Sequence, residues 1–459
     1  MTRSLLVLFL LSTGYAGFSQ EHPHHTDTTS VKKNPSALHT GKTATDTSQP
    51  LNDHNSMLMT HAFSRNLPMS RNGSGTSWLP DTSPMYMYMW GNRNSNLMLH
   101  GNVVFRYNKQ DVFAKGSRGD SKIDFPNWFM GMYNHLVGER GLFNATAMIS
   151  FDPFTVGAKG YPLLFQSGET YNGERLVDRQ HPHDLFSALS VAYTHMFNKN
   201  VDVTGYFGYP GEPALGPPAF MHRISALNNP DAVLGHHWQD ATHITFGVGT
   251  LGLRLKQFKL EGSIFTGREP DENRYNLDQA RFDSYSYRVS FNPSPEYSFQ
   301  VSQGFLHEPE MLEPGIDLTR TTASLIRSKS LRTMNWSQTL VWAMNDKESH
   351  TRKEHSVLYE NNLQFPKQAI YSRYEFVQKS AEELDLSSTF GDEHFDIHSF
   401  TLGYNRNIAP FAPLEILLGA QGTLSFPAPD LKTLYGSLPF SMEIYLQFRP
   451  RRHQHQSPD

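Results

Sequence analysis

The chain of 459 residues contains no cysteine. This absence excludes disulfides, iron–sulfur clusters, thiolate zinc sites and a lipid-modified N-terminal cysteine. The chain also has no excess of basic residues, as its formal charge of -4 at pH 7 shows. Proteins that bind nucleic acid normally carry a basic face, so we expect no nucleic-acid partner. The apolar run from Leu5 to Leu11 is far shorter than the roughly 20 residues of a membrane-spanning helix.

Helical periodicity is scarce as well. From Asn96 onward, apolar and polar residues alternate with period two, which predicts strands with two differently solvated faces. We expect about 16 strands, joined by short connections near residues 138, 198, 292 and 365 and at Leu251-Gly252, which alternate with long ones. Short turns at one end and long loops at the other are typical of an outer-membrane barrel.

The chemistry of the two strand faces agrees with a barrel in a membrane. In the segment YSFQVSQGF one face carries Tyr297, Phe299, Val301 and Phe305, and the other carries Ser298, Gln300, Ser302 and Gly304. A small polar face suits a wet lumen and an apolar face suits lipid. The sequence therefore predicts an all-β, transmembrane antiparallel β-barrel of about 16 strands with short periplasmic turns and long, partly inward-folded loops. A soluble sandwich or propeller is the alternative, and no repeat of fixed period supports it.

The chain divides into five predicted segments. Residues 1–20 have the basic start, apolar run and small residues of a secretory signal peptide. Residues 21–72 form a His- and Met-containing N-terminal segment that is too polar to bury a core, so we expect it to be disordered. A pre-barrel segment covers 73–96, the barrel covers 97–449, and a charged tail covers 450–459.

Two Gly- and Pro-rich segments flank the predicted hairpin 187–208 and are dense in histidine. Both leave the same end of that hairpin, so we expect their side chains to meet in the barrel mouth or lumen. Because His181 precedes Pro182, it favours an extended backbone that directs His181 and His183 to one side. Imidazole with carboxylate suits Zn(II), Cu(II) or Ni(II). The candidate ligands are His181, His183, Asp184, His222, His236, His237 and His243.

Other interpretations of the histidines stay open. They form either a metal site, a neutral hydrogen-bonded network with Arg175, Arg179 and Arg223 that folds the loops inward, or a site with one catalytic histidine. Methionine adds a hint of copper, because thioethers favour soft ions such as Cu(I), although packing or an early strand explains the same pattern. The residues of this methionine-rich stretch are Met57, Met59, His61, Met69, Met85, Met87 and Met89.

A further set of charged and aromatic loop residues is predicted to face the pore or its solute. Opposed charges in FTGREPDENR either tune ion passage or form a solvated loop tip. The set consists of Glu169, Arg175, Asp178, Arg179, Arg223, Trp238, Asp240, Arg268 and Glu269.

The segments YPLLFQSGETYNGERLVDRQHPHDLF, GHHWQDATHITFGVGTLG and FTGREPDENR resemble a family of bacterial outer-membrane β-barrel proteins of porin-like type. The resemblance extends from about Gly73 to the C-terminus. It implies export to the outer membrane of a Gram-negative bacterium. We expect lipid around the barrel and a small solute or ion as its ligand. It implies no particular activity, and it leaves the association of barrels into oligomers open.

Two functions follow as expectations. The first is a channel or binding barrel for small polar solutes or ions, linked to a transition metal, with copper favoured over zinc. The second is a general or saccharide porin without metal, in which Trp238, Tyr161 and Tyr171 offer stacking surfaces. An outer-membrane lipid hydrolase is a distant third, because no serine is spaced to partner His195. We therefore expect a protein that is not an enzyme.

Overall fold

The computed structural model describes residues 57–350 and 352–453. Its architecture is a closed barrel of 16 antiparallel strands, which confirms the predicted fold class. The predicted signal peptide, residues 21–56 and residues 454–459 lie outside the described residues. The barrel strands are β1 Ser95–Lys109, β2 Asn127–Val137, β3 Gly141–Ile149, β4 Phe186–Asn198, β5 Val201–Gly208, β6 Val248–Leu255, β7 Phe258–Phe265, β8 Ser284–Ser294, β9 Tyr297–Leu306, β10 Leu318–Ser330, β11 Asn335–Lys347, β12 Glu354–Gln364, β13 Gln368–Ser380, β14 His394–Asn407, β15 Leu414–Phe426 and β16 Phe440–Pro450.

The barrel closes by pairing its last strand with its first. In this pairing of β16 with β1, Met442 lies opposite Lys109 and Phe448 lies opposite Val103. Two short strands, Tyr88–Gly91 and Ser121–Asp124, also pair with β1. Long and short connections alternate around the barrel as predicted, so the long segments leave one end of it.

The strands present an apolar face to the outside and a polar face to the inside. Leu251, Ile264 and Val301 are 66%, 57% and 58% exposed, whereas their neighbours Thr250 and Ser302 are buried. The two faces predicted for the segment YSFQVSQGF are therefore confirmed. An outward apolar band around a polar interior is the arrangement of a barrel that crosses a membrane.

One predicted turn is wrong. The chain does not turn at Leu251-Gly252, because Gly252 stays extended and pairs on both sides, with Thr204 and with Glu261. The turn lies four residues later, where Lys256 adopts a positive φ of 57°. A glycine inside a strand was misinterpreted as a turn signal.

The N-terminal segment also differs from its prediction over the part that the structure describes. Thr60–His61 pairs with Ser64–Pro68, and a 3-10 turn follows at Met69–Arg71. Arg71 donates to Asp81 over 2.7 Å and stacks on Trp78, with 4.8 Å between the guanidinium and the ring centroid. This segment is ordered because it docks on neighbouring residues, which its polar composition does not reveal.

Long connections fill the lumen. The connection between β3 and β4 contains helix α1, Asp152–Thr155, and an inner hairpin of Tyr161–Tyr171 and Glu174–Gln180. The connection between β5 and β6 contains helix α2, His236–Gln239, and 3-10 turns at Phe220–His222 and Ala241–His243. Two further short helices, α3 Ser387–Phe390 and α4 Lys432–Tyr435, lie in later connections, and a 3-10 turn at Pro429–Leu431 precedes α4.

Hydrogen bonds to inward-facing strand residues hold these connections in place. The backbone amides of Ala214 and Gly216 donate to Ser263 on β7 and Ser302 on β9, both over 2.8 Å. An apolar cluster joins the inner hairpin to the wall through residues such as Phe165, Trp238 and Val377. The predicted inward folding of the loops is therefore present. No helix in the described ranges is long and apolar enough to cross a bilayer.

Candidate metal centre inside the barrel

Three buried histidines from the two lumenal connections meet at one point. His181 follows the inner hairpin, while His236 and His237 begin helix α2. Their ring centroids are 5.8 Å apart for His181 and His236, 5.6 Å for His181 and His237, and 5.2 Å for His236 and His237. One nitrogen of each ring can be chosen so that all three lie within 4.8 Å of one another. We call these residues the imidazole triad.

Carboxylates orient two rings of the triad, His236 and His237, through their Nδ1 atoms. Because a carboxylate accepts hydrogen bonds, Nδ1 carries the proton and Nε2 is left with a lone pair. For His181, the hydrogen-bond acceptor is the carbonyl of Pro182 at 3.3 Å, and Glu169 lies close to the same nitrogen. The Nδ1-to-oxygen distances are 3.2 Å for His181 and Glu169, 2.7 Å for His236 and Asp240, and 2.8 Å for His237 and Glu269.

The opposite ring atoms are left free. Nε2 of His181 and Nε2 of His237 are buried and have no hydrogen-bond partner within the described part of the chain. Leaving one such atom unsatisfied costs about 1–3 kcal/mol. Gly168 packs directly against this ring, because a Cβ on Gly168 would lie 2.1 Å from His237 Nε2 and only glycine allows the close approach. Two of the three rings of the triad thus have a buried nitrogen without a partner among the described residues.

The triad fits a transition-metal ion. A tetrahedral ion with metal–nitrogen bonds of about 2.0–2.1 Å holds its nitrogen ligands roughly 3.3 Å apart, so a contraction of about 1.5 Å at most would complete the site. Three imidazoles suit Zn(II), Cu(II) and Ni(II), whereas Mg(II) and Ca(II) need oxygen ligands. The fourth coordination position would remain open to water or another ligand.

Burial and nearby charges set the protonation of the triad. Burial lowers the pKa of His181, an effect that Arg274 strengthens, and it also lowers the pKa of His236. Burial alone would lower the pKa of His237 too, but Glu269 outweighs it and the pKa is raised. Two of the three rings are therefore held neutral, as metal ligands must be, and an ion would compete with a proton at the third.

Two further histidines, His183 and His243, lie next to the triad. Nδ1 of His183 lies 2.8 Å from Asp152 Oδ2, and Nδ1 of His243 lies 2.9 Å from the carbonyl of Asp240. Their ring centroids are 5.6 Å apart, and the ring of His243 is 5.1 Å from that of His236. Nε2 of both His183 and His243 is buried without a partner among the described residues.

The remaining predicted ligands have other partners. Asp184 lies 3.3 Å from the Nη1 atom of Arg274, and its carboxylate is not part of the group whose ligand atoms converge at the triad. The ring of His222 lies 5.1 Å from that of Trp128, away from the triad. Burial lowers the pKa of His222 to about 3, so this ring is neutral.

The arginines of the alternative network pair with carboxylates. Arg223 binds Asp240 at 2.8 Å, and Arg175 binds Glu313 at 3.1 Å. Arg179 binds the half-exposed Asp120. Hydrogen bonding does fold the loops inward: Arg223 shares Asp240 with His236, whereas Arg175 and Arg179 pair with acidic groups that do not contact the triad.

The predicted pore residues are also placed differently. Trp238 and Tyr161 are 1% and 5% exposed, so neither offers a ring face on which a solute could stack. Lys379 lies 4.4 Å from the ring centroid of Trp238. Asp178 accepts a hydrogen bond from Tyr435 over 3.1 Å. Tyr171, at the hairpin end, has Lys159 5.7 Å from its ring centroid.

The loop FTGREPDENR is more than a solvated tip. Arg268 does pair with Glu308 at 3.1 Å near the surface, whereas Glu269 reaches inward to His237. The carboxylate of Glu272 accepts from the backbone amides of Asn172 and Gly173 at the tip of the inner hairpin, over 2.7 and 2.8 Å. This loop therefore contacts the tip of the hairpin and positions the ring of His237.

Sequence reasoning missed the inner hairpin and Asp152. The hairpin had a signal in Asn172-Gly173, both with positive φ, since this dipeptide is the strongest short marker of a two-residue hairpin turn. Asp152 had none, because its contact with His183 depends on how helix α1 lies in the barrel.

No protein-family model and no curated protein matches this chain. Among solved structures it is similar to OmpF of Salmonella typhi in complex with daunomycin, with 9% identity, a TM-score of 0.48 and coverage of 79% of this chain and 100% of that one. It is similar to OprB of Pseudomonas putida, with 9% identity, a TM-score of 0.47 and coverage of 77% and 94%. It is also similar to the outer-membrane channel DcaP of Acinetobacter baumannii, with 10% identity, a TM-score of 0.44 and coverage of 78% and 97%.

This chain has the porin-like fold of an outer-membrane β-barrel. The strand order, the closure of the barrel and the outward apolar face define this fold.

Proposed function

We propose that this outer-membrane barrel binds a transition-metal ion inside its lumen, at His181, His236 and His237, as part of copper handling in the cell envelope. The observation that carries the proposal is the imidazole triad, whose nitrogens converge and two of whose rings are held at Nδ1 by carboxylates. Copper is the ion we favour, because imidazole suits it and Cu(II) binds most tightly among the divalent first-row metals. Zinc is the alternative ion.

The filled lumen favours a binding barrel over a wide pore. Arg223, Arg288 and Arg320 are among the largest fully buried side chains, and all three project within the barrel. Arg223 bridges Asp240 and Glu360 at 2.8 and 2.9 Å. A freely open eyelet would leave such charged groups in water, so the described interior suits the capture of a small ion better than the passage of bulky solutes.

Each residue near the triad has a distinct role in this proposal. His181 and His236 supply neutral nitrogen ligands, and His237 supplies the third once an ion displaces its proton. The carboxylates of Asp240 and Glu269 fix two of the rings and bring negative charge near a cation. Because these carboxylates bind the imidazole rings and would not coordinate the ion, the fourth coordination position remains open for exchange of the ion.

A metal titration of the purified full chain in detergent micelles tests the proposal. Cu(II), Ni(II) and Zn(II) should bind the protein, and a His181→Ala/His237→Ala variant should bind each of them at least tenfold more weakly. His307→Ala is the matched control, because Nδ1 of His307 also lies 2.8 Å from a carboxylate, Asp317, but the side chain is 43% exposed. Wild-type affinity in the double variant would overturn the assignment.

The closed barrel itself favours a second candidate, a porin for small polar solutes. Conductance in planar bilayers distinguishes the two. If metal ions neither bind the protein nor change the conductance, the porin stands and the metal proposal fails. If metal at low concentration reduces the conductance of the wild type but not that of the double variant, the triad lies on the path of ions.

A further inference from the structure

A second group of metal-ligating side chains lies beside the histidines, and all of its large buried members are methionines. Together with Ala62, these side chains form one buried cluster within the barrel. Four further methionines, Met59, Met85, Met89 and Met221, pack against it partly buried. The buried methionines are Met69, Met87, Met98, Met130, Met132 and Met148.

The composition of this cluster is unlike that of the other apolar clusters. The remaining four clusters of the described residues are built from Leu, Val, Ile, Phe, Tyr, Trp and Ala, and no buried member of them is methionine. Packing alone does not demand a thioether, because leucine fills a similar volume with better defined rotamers. A concentration of sulfur in one of five clusters therefore calls for a chemical reason.

The strands place this sulfur on the lumenal wall. Met98 on β1, Met130 and Met132 on β2, and Met148 on β3 occupy inward positions of three adjacent strands. Further along the same inward faces the side chains are polar, with Asn96, Asn134 and Asn144 joined by hydrogen bonds of 3.0 and 2.8 Å. Inward apolar positions elsewhere on the wall hold residues such as Val341 and Leu358, so the use of methionine is particular to these three strands among the buried clusters.

The methionines border a cavity of about 150 Å³ that also reaches the histidines. Its lining includes Met98, Met130, Met132 and Met221 together with His100 and His183. Nε2 of His100 and Nε2 of His183 are buried, with no hydrogen-bond partner found in residues 57–350 and 352–453. The lining thus combines several methionines with two histidines that each have a buried, unpartnered nitrogen.

We propose that this methionine-lined cavity is a second metal site, selective for the soft monovalent ion Cu(I), with thioethers of Met98, Met130 and Met132 and the imidazole of His100 or His183 as its ligands. Thioether sulfur prefers Cu(I) over Zn(II) or Ni(II). The charge of the ion matters as well, because burying an ion among neutral ligands costs far more for a divalent cation than for a monovalent one. The site deepens the proposed function by naming copper and its oxidation state, but it does not require the triad.

The two sites adjoin through histidines already described. His183 lines the cavity and its ring lies 5.6 Å from that of His243, which in turn lies 5.1 Å from that of His236 in the triad. A sulfur site for Cu(I) and a nitrogen site for divalent ions are therefore joined by imidazoles. Each site can be removed without touching the ligands of the other.

Anaerobic titration of the full chain in micelles with Cu(I), in competition with a chromogenic Cu(I) chelator, tests the proposal. A Met98→Leu/Met130→Leu/Met132→Leu variant keeps the apolar volume but removes three sulfur atoms, and it should bind Cu(I) at least tenfold more weakly. Binding of Ni(II) and Zn(II) should not change in this variant. The matched control is Met196→Leu/Met334→Leu/Met344→Leu, which removes three methionines outside the cluster and should bind Cu(I) like the wild type.

The His181→Ala/His237→Ala variant should show the reverse pattern, with divalent ions lost and Cu(I) retained. If the wild type binds Cu(I) but no divalent ion, the metal site at the triad is refuted and the cavity site is retained. Wild-type Cu(I) affinity in the triple leucine variant would overturn the cavity site. If that variant does not fold, X-ray absorption of the wild type with one equivalent of Cu(I) decides: copper–sulfur scattering supports the site, and nitrogen or oxygen scattering alone refutes it.

Discussion

Gly168→Ala should disable the imidazole triad without removing any of its ligands. Gly168 has a φ of +118°, and a Cβ there would lie 2.1 Å from His237 Nε2. Ordinary contact begins at 3.4 Å, so the ring must retreat by about 1.3 Å. A comparable disturbance of a metal ligand's support weakens binding about 10–100-fold, which corresponds to roughly 1.4–2.8 kcal/mol.

Isothermal titration with Ni(II) or Zn(II) measures this loss, and Gly173→Ala separates it from backbone strain. Gly173 lies at the turn of the same hairpin, has a φ of +76°, and has no atom within 4 Å of an added Cβ. Both substitutions place alanine at positive φ and should lower the free energy of unfolding by about 1 kcal/mol or more. Only Gly168→Ala should weaken the binding of the metal ion. Equal affinities in the two variants would show that His237 Nε2 takes no part in binding.

Three further predictions address the supports of the site. Glu269→Gln should weaken the binding of divalent metal ions about tenfold, because it removes the charge that orients His237. Glu308→Gln, in the neighbouring ion pair with Arg268, is the control and should leave metal affinity unchanged. Equal losses of affinity in the two variants would point to a general effect of the loop. Arg223→Ala should destabilise the fold by about 3–5 kcal/mol in urea unfolding, since Asp240 and Glu360 lose a buried partner. Arg179→Ala, which breaks the half-exposed pair with Asp120, should lower the free energy of unfolding by at most about 1 kcal/mol. Similar losses of stability in the Arg223 and Arg179 variants would show that burial of the ion pair does not decide its contribution. Replacing residues 163–178 by a short Gly-Ser linker should raise single-channel conductance, and an unchanged conductance would show that the hairpin does not obstruct the lumen.

Strand periodicity made most of the barrel predictable. Alternation over nine residues of YSFQVSQGF is enough to assign its faces, because lipid on one side and the filled interior on the other impose opposite preferences. The same logic failed at Gly252, where a residue that permits a turn does not require one. Histidine density and the shared hairpin end predicted that His181 and His237 would meet, since that inference needs only topology.

Other parts of the site depend on three-dimensional detail that spacing does not encode. Which nitrogen of His183 is free follows from Asp152, whose position is set by helix α1. The methionines of β1, β2 and β3 are far apart in sequence, and only the barrel register brings Met98 opposite Met132. Alternation predicts that each faces inward, but a cluster becomes visible only when the pairing of the strands is known.

The closure between β1 and β16 has a consequence for the order of assembly. More than 300 residues separate Val103 from its partner Phe448, so this pairing forms the longest-range contact of the barrel wall and is expected to be slow. Until it forms, both terminal strands have unsatisfied edges that lipid cannot satisfy. The inner hairpin and helix α2 belong to long connections that leave one end of the barrel, so the open mouth admits them whether or not the wall has closed. The seam between β1 and β16 is therefore the pairing that ends the exposure of strand edges to lipid.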